Sequence, residues 1–204
     1  MATATLQEAV DVLYRIAVTE GKYTSPKRLD GLASLCISEL GRRGLRGAVA
    51  DVDMPGGGRQ KNWDVAWELG DKFRLGISLK SLLRNIPGTV PNRVDDMIGE
   101  VTNAQMYSPE IVTGYIMIFD SSQDAHSKKH GGSWEELLRR RLGRVTDRRA
   151  PSWGMGMIEA LLVVSVDFSS GPRIVTGEDE VAPFFDRLVA DVCERNPALK
   201  GLGV

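Results

Sequence analysis

The stretch Asn62-Trp63-Asp64-Val65-Ala66-Trp67-Glu68-Leu69-Gly70-Asp71-Lys72-Phe73-Arg74-Leu75-Gly76-Ile77-Ser78-Leu79-Lys80 decides how the chain folds. Apolar and polar residues alternate in both halves, and Gly70-Asp71-Lys72 separates them. This is the pattern of two antiparallel strands joined by a tight turn. A hairpin centred on Asp71 sets Leu69 opposite Phe73, Trp67 opposite Leu75, Val65 opposite Ile77 and Trp63 opposite Leu79. All four pairs are apolar, so one register satisfies a whole face, with Trp63 and Trp67 as core anchors. The other face carries Asp64 across from Ser78, with Lys80 one step further on the same side. An acid and an amine side by side on a rigid sheet mark a candidate site.

Outward from the hairpin, Leu6, Ala9, Val10, Leu13, Ile16 and Ala17 recur at helical spacing. A second helix is expected from about Asp30 to Arg43, with Leu32, Leu35, Cys36 and Leu40 as its buried stripe and Glu39 on or beside it. Residues 48–54 read as a short strand, and Pro55-Gly56-Gly57-Gly58-Arg59-Gln60 as a turn. No Gly-Lys-Ser/Thr follows those glycines, so they are no phosphate cradle. Residues 81–90 read as irregular. Pro91-Asn92-Arg93 then opens a helix to about Met106. Val94, Met97, Ile98 and Val101 form its apolar stripe, flanked by Arg93, Asp96, Glu100 and Asn103. Residues 111–119 and 158–168 are too uniformly apolar for exposed strands and read as central ones. Helices over 134–149 and 180–195 complete the order. The expectation is one α/β domain over residues 1–204, a mixed β-sheet flanked by α-helices.

With 42% hydrophobic and 26% charged residues and a formal net charge of -1, no global field advertises nucleic acid or membrane. Charge is nevertheless uneven. Lys128, Lys129, Arg139, Arg140, Arg141, Arg144, Arg148 and Arg149 face only Glu135, Glu136 and Asp147 in that segment. Such a belt suits a polyanion or a solvated helix face. Cys36 and Cys193 lie in apolar helical patterns and read as reduced thiols without zinc spacing. His126 and His130 stand four apart in a polar loop with no third ligand in view. The N-terminus lacks a signal-peptide core, and the longest apolar run, 157–168, is too short for a bilayer. A cytoplasmic protein with no membrane partner is the expectation.

Phosphodiester hydrolysis needs carboxylates to hold a divalent cation and a group to orient water near the phosphate. Asp64 offers one hard oxygen ligand, and Lys80 is placed to contact water and phosphate. A second carboxylate is expected, and Glu39, Glu68 and Glu100 are the candidates, Glu68 lying opposite Arg74. Asp64 followed by Ser78-Leu79-Lys80 resembles the PD-(D/E)xK nuclease superfamily, with Ser78 where the second acid belongs. It is similar to a branch of type II restriction endonucleases recognising CCGG-containing sites. That branch has Ser-x-Lys, a Pro-Asp-Arg element opening the next helix, and a glutamate seven residues after the arginine. Here the chain reads Pro91-Asn92-Arg93 and places Glu100 seven residues on. The match spans Asp64 to Glu100, about a fifth of the chain, and Asn92 replaces the acid.

The resemblance implies a restriction-endonuclease-like sheet with Mg²⁺ (or Mn²⁺) held by Asp64 and Glu100. It also implies guanine reading by Arg93, with Asn92 beside it. In the wider superfamily an acid on the preceding helix joins the site, which brings in Glu39. The expected activity is metal-dependent DNA cleavage by a homodimer, since cutting two strands calls for two sites. Arg140 and Arg144 would track phosphates. Beside this stand plainer readings: an Asp64–Lys80 cross-strand ion pair, a helix-surface pair of Glu100 with Arg93 or Asn103, and a catalytically silent DNA- or protein-binding module.

Overall fold

The hairpin residues form two strands at one side of a six-stranded sheet. In the computed structural model, which describes residues 4–197 and residue 199, the strands are β1 (Val49–Met54), β2 (Lys61–Glu68), β3 (Phe73–Leu82), β4 (Val112–Asp120), β7 (Ala160–Asp167) and β8 (Arg173–Thr176). They lie in the order β1-β2-β3-β4-β7-β8, and a two-stranded ribbon, β5 (His126–Ser127) with β6 (Gly132–Ser133), stands apart. β3, β4 and β7 run parallel, while the outer pairs are antiparallel. The parallel centre is the part whose sequence is uniformly apolar, and every residue of β4 is buried. The expected mixed α/β sheet is therefore present.

Two apolar clusters cover the two faces. One gathers α1 (Leu6–Tyr14), α2 (Asp30–Arg42) and α5 (Val181–Arg195) over Val65, Leu75, Ile77 and Leu79. The other gathers α3 (Ile86–Tyr107) and α4 (Trp134–Gly143) over Ala66, Tyr115, Met117 and Phe119. Thr5 with Glu8, and Ser133 with Glu136, form capping boxes that fix where α1 and α4 begin.

Several expectations are corrected. Val65 opposite Ile77 and Trp67 opposite Leu75 hold, but an irregularity after Trp67 pairs Glu68, not Leu69, with Phe73. The β2–β3 ladder runs only from that end to Val65–Ile77. Past it the strands fork, and Trp63, expected to share a face with Val65, packs in the opposite cluster beside Gly76. The third helix starts at Ile86, five residues before Pro91. Asn85, in the left-handed region (φ 47), accepts the amides of Gly88 and Thr89 and opens the helix there. Pro91 in the second turn forgoes one backbone bond and is tolerated. The arginine-rich helix ends at Gly143 rather than Arg149, because the backbones of Val145 and Arg148 are taken up by Ile158. β8 was not foreseen, being a short, mostly exposed edge strand with no alternation to read.

Candidate active site

The site forms at the fork between β2 and β3. Where the ladder gives out, Oδ2 of Asp64 accepts the backbone N–H of Leu79 at 2.7 Å, so a carboxylate occupies the place of a main-chain acceptor. The same oxygen lies 3.4 Å from Nζ of Lys80. Lys80 also donates to Oγ of Ser78 at 2.7 Å, and Ser78, 1% exposed, donates to Oε2 of Glu100 at 3.2 Å. Glu100 reaches down from α3 and is itself only 3% exposed. Its Oε2 is 3.7 Å from Lys80 Nζ, and its Oε1 is 3.5 Å from Lys61 Nζ. Asp64, Ser78, Lys80 and Glu100, read from a motif, are thus gathered around one ammonium.

A carboxylate this buried is tolerated only when paired and hydrogen-bonded. Two lysines and a hydroxyl supply that for Glu100. Tyr115, across from Ser78 in the β3–β4 register, is fully buried and its hydroxyl has no hydrogen-bond partner. Burial, followed by the charge of Glu100, pushes that phenol well above the usual range, so it is a neutral donor near the cluster. Burial, with the charges of Asp64 and Glu39 behind it, likewise pushes the Cys36 thiol up and leaves it protonated.

The other candidates lie elsewhere. Glu39 is held by Arg42 at 3.0 Å and by Arg43, whose guanidinium also bonds Asp186 of α5 at 2.6 Å. Through Arg43 it ties α2 to α5, and it is not grouped with Asp64 and Glu100 in a shared set of ligands, so the cluster forms without it. Glu68 is exposed, and Arg74 pairs with Glu110 at 3.1 Å instead. Asn92 is exposed on α3, whereas Arg93 bonds Asp96 at 3.0 Å and turns toward the cluster. Arg140 on α4 and Arg144 just after its end are exposed, and α4 packs against α3 and β7 rather than beside the fork. His130 packs edge-on against Trp134.

Lys61 was missed. Counting by twos from Asp64 puts it on the wrong face, and only the fork, which also carries Trp63 across, brings it to Glu100. Arg28 was missed as well, since nothing local marks a residue before a helix as part of a site on the sheet. It lines a cleft of about 370 Å³ that opens at the fork, together with Asp64, Lys80, Arg93, Asp30 and Asp51.

Among the described residues, no group of three or more His, Cys, Asp or Glu side chains is placed to share a metal ion, and no helix is long and apolar enough to cross a membrane. No family model, curated protein or solved structure matches the chain.

Proposed function

We propose that this chain is a metal-dependent endonuclease of the PD-(D/E)xK kind that hydrolyses DNA phosphodiester bonds. The observation that carries the reading is the convergence of Asp64, Lys80 and Glu100 from two strands and a helix around Ser78. Two carboxylates from separate elements, both within reach of one point, match the donor set of Mg²⁺, which takes one or two carboxylates and keeps several waters. Asp64 and Glu100 would hold the ion, with Mn²⁺ as the alternative. Bound there, it would stabilise charge on the phosphate and make a coordinated water more acidic.

The protein's own groups do the rest. The Leu79 amide fixes Asp64, while Ser78 and Lys61 fix Glu100, so both carboxylates are held before a substrate arrives. Lys80, hydrogen-bonded to Ser78 and flanked by both acids, keeps its ammonium at the cleft wall. From there it orients water and contacts the phosphate. A homodimer would supply the second site for the second strand.

A second reading, a silent binding module, is favoured by the absence of a third metal-ligating side chain among the described residues. Supercoiled plasmid with Mg²⁺ or Mn²⁺ separates the two. Wild type should nick it, and Asp64→Ala and Lys80→Ala should each lose about 10²–10⁴-fold. Undiminished nicking by both variants would rule out the nuclease reading.

A further inference from the structure

Arg93 was assigned to guanine by resemblance, yet it lies in a different setting. It shares two adjoining hollows with Arg28: the cleft of about 370 Å³ that holds Asp64 and Lys80, and a recess of about 340 Å³ lined also by Arg84 and Thr89. Arg28 is fixed there by its bonds from Nε to Ser81 Oγ at 3.1 Å and from Nη1 to the Ser25 carbonyl at 2.6 Å. Arg93 spends one terminal nitrogen on Asp96, and its buried Nε has no hydrogen-bond partner. Burial, and next the charge of Arg93, pull the Arg28 guanidinium down from its usual range. Two cations pressed together in a half-closed space raise each other's energy, and an anion between them relieves it. Arg84, stacked on the Tyr23 ring with its guanidinium carbon 3.2 Å from the centroid, adds a third positive group to the recess.

The cleft also carries Asp30, Asp51 and Asp64, whereas the recess that shares Arg28 and Arg93 with it is lined by Arg84 and by no acid. We propose that Arg28 and Arg93 form a phosphate subsite next to the Asp64–Lys80–Glu100 cluster, gripping a DNA backbone phosphate beside the one to be cut, and that Arg93 reads no base. The proposal rests on the nuclease reading only for the identity of the polyanion. A protein that binds DNA without cutting it would use the same subsite. The path it defines runs from the cleft into the recess lined by Arg84.

The test is metal-free, so that cleavage plays no part. In EDTA, fluorescence anisotropy would follow wild type, Arg28→Ala, Arg93→Ala, the double alanine variant and both lysine variants. Each is titrated with two labelled DNA duplexes of unrelated sequence over a range of salt concentrations. A phosphate contact contributes about 0.9 to the slope of log affinity against log salt. The double alanine variant should therefore lose about one contact's worth of slope, and equally on both duplexes. Arg28→Lys and Arg93→Lys, which keep the charge, should retain the slope. The double glutamine variant, which keeps polar side chains there but removes both charges, should lose the same slope and keeps the test decisive if an alanine variant does not fold. An unchanged slope in the alanine variants, a loss confined to one duplex, or wild type that binds neither duplex would each overturn the proposal. Failure of the nuclease reading is seen separately, in plasmid nicking.

Discussion

At the scale of single residues, Glu100 and Glu39 differ in what their partners face. Both are buried carboxylates on helices, each paired with two basic side chains. The partners of Glu100 line an open groove and the cleft, so substrate or cation can exchange with them. Of those of Glu39, Arg42 is exposed at the surface and Arg43 is tied to Asp186 of α5, and neither lines the cleft. Ser78→Ala removes the hydroxyl that orients Glu100 without touching either carboxylate. It should lower Mn²⁺ affinity by calorimetric titration roughly 10–100-fold, the usual effect of losing such a supporting contact. Glu100→Gln should lose more. Glu39→Gln should leave Mn²⁺ affinity at the wild-type value while lowering the melting temperature. Mn²⁺ affinity undiminished in Glu100→Gln would remove the case for Glu100 as a ligand.

At the scale of elements, the fork between β2 and β3 does the positioning. It depends on Trp63 crossing to the α3 side, which Gly76 permits. A Cβ on Gly76 would lie 2.7 Å from the Trp63 ring. Gly76→Ala should therefore destabilise the fold by about 1–3 kcal/mol through overpacking, read from urea unfolding. The penalty should shrink in a Trp63→Leu background, because the clash is with that ring; additive effects would show that the two are uncoupled. The turn before β2 is tied down too. Asn103, one helical turn past Glu100, accepts the amides of Gly58 and Arg59 and donates to the Arg59 carbonyl, which sets the start of β2 near α3. Lys61 follows directly and reaches Glu100. A loop read as mere turn thereby helps position the site.

At the scale of the whole molecule, the parallel centre of the sheet is locked at the end away from Lys80 by a buried ion network. Glu159 is fully buried and accepts from Arg148 at 3.1 Å, from Arg195 at 2.7 Å, and from the amide and hydroxyl of Thr113. It joins β4, α5 and the segment after α4. Removing one member of such a buried set leaves uncompensated charge, so Glu159→Gln should cost about 3–5 kcal/mol, measured by chemical denaturation, with plasmid nicking unaffected under conditions where the variant stays folded. By itself the sequence determined the alternation of Val65 to Glu68 and Arg74 to Ile77, the apolar centre of the sheet, the amphipathic helices and the spacing that sets Glu100 two turns after Arg93. These are periodic signals, and periodicity states which face a residue takes within its own element. Only the tertiary structure decided where the ladder parts, that Asp64 fills a vacant main-chain position, that Lys61 and Trp63 change sides, and that Glu39 is engaged while Arg28 faces the cleft. Those outcomes turn on how separate elements meet, through contacts between residues far apart in the chain, and no local pattern carries that information.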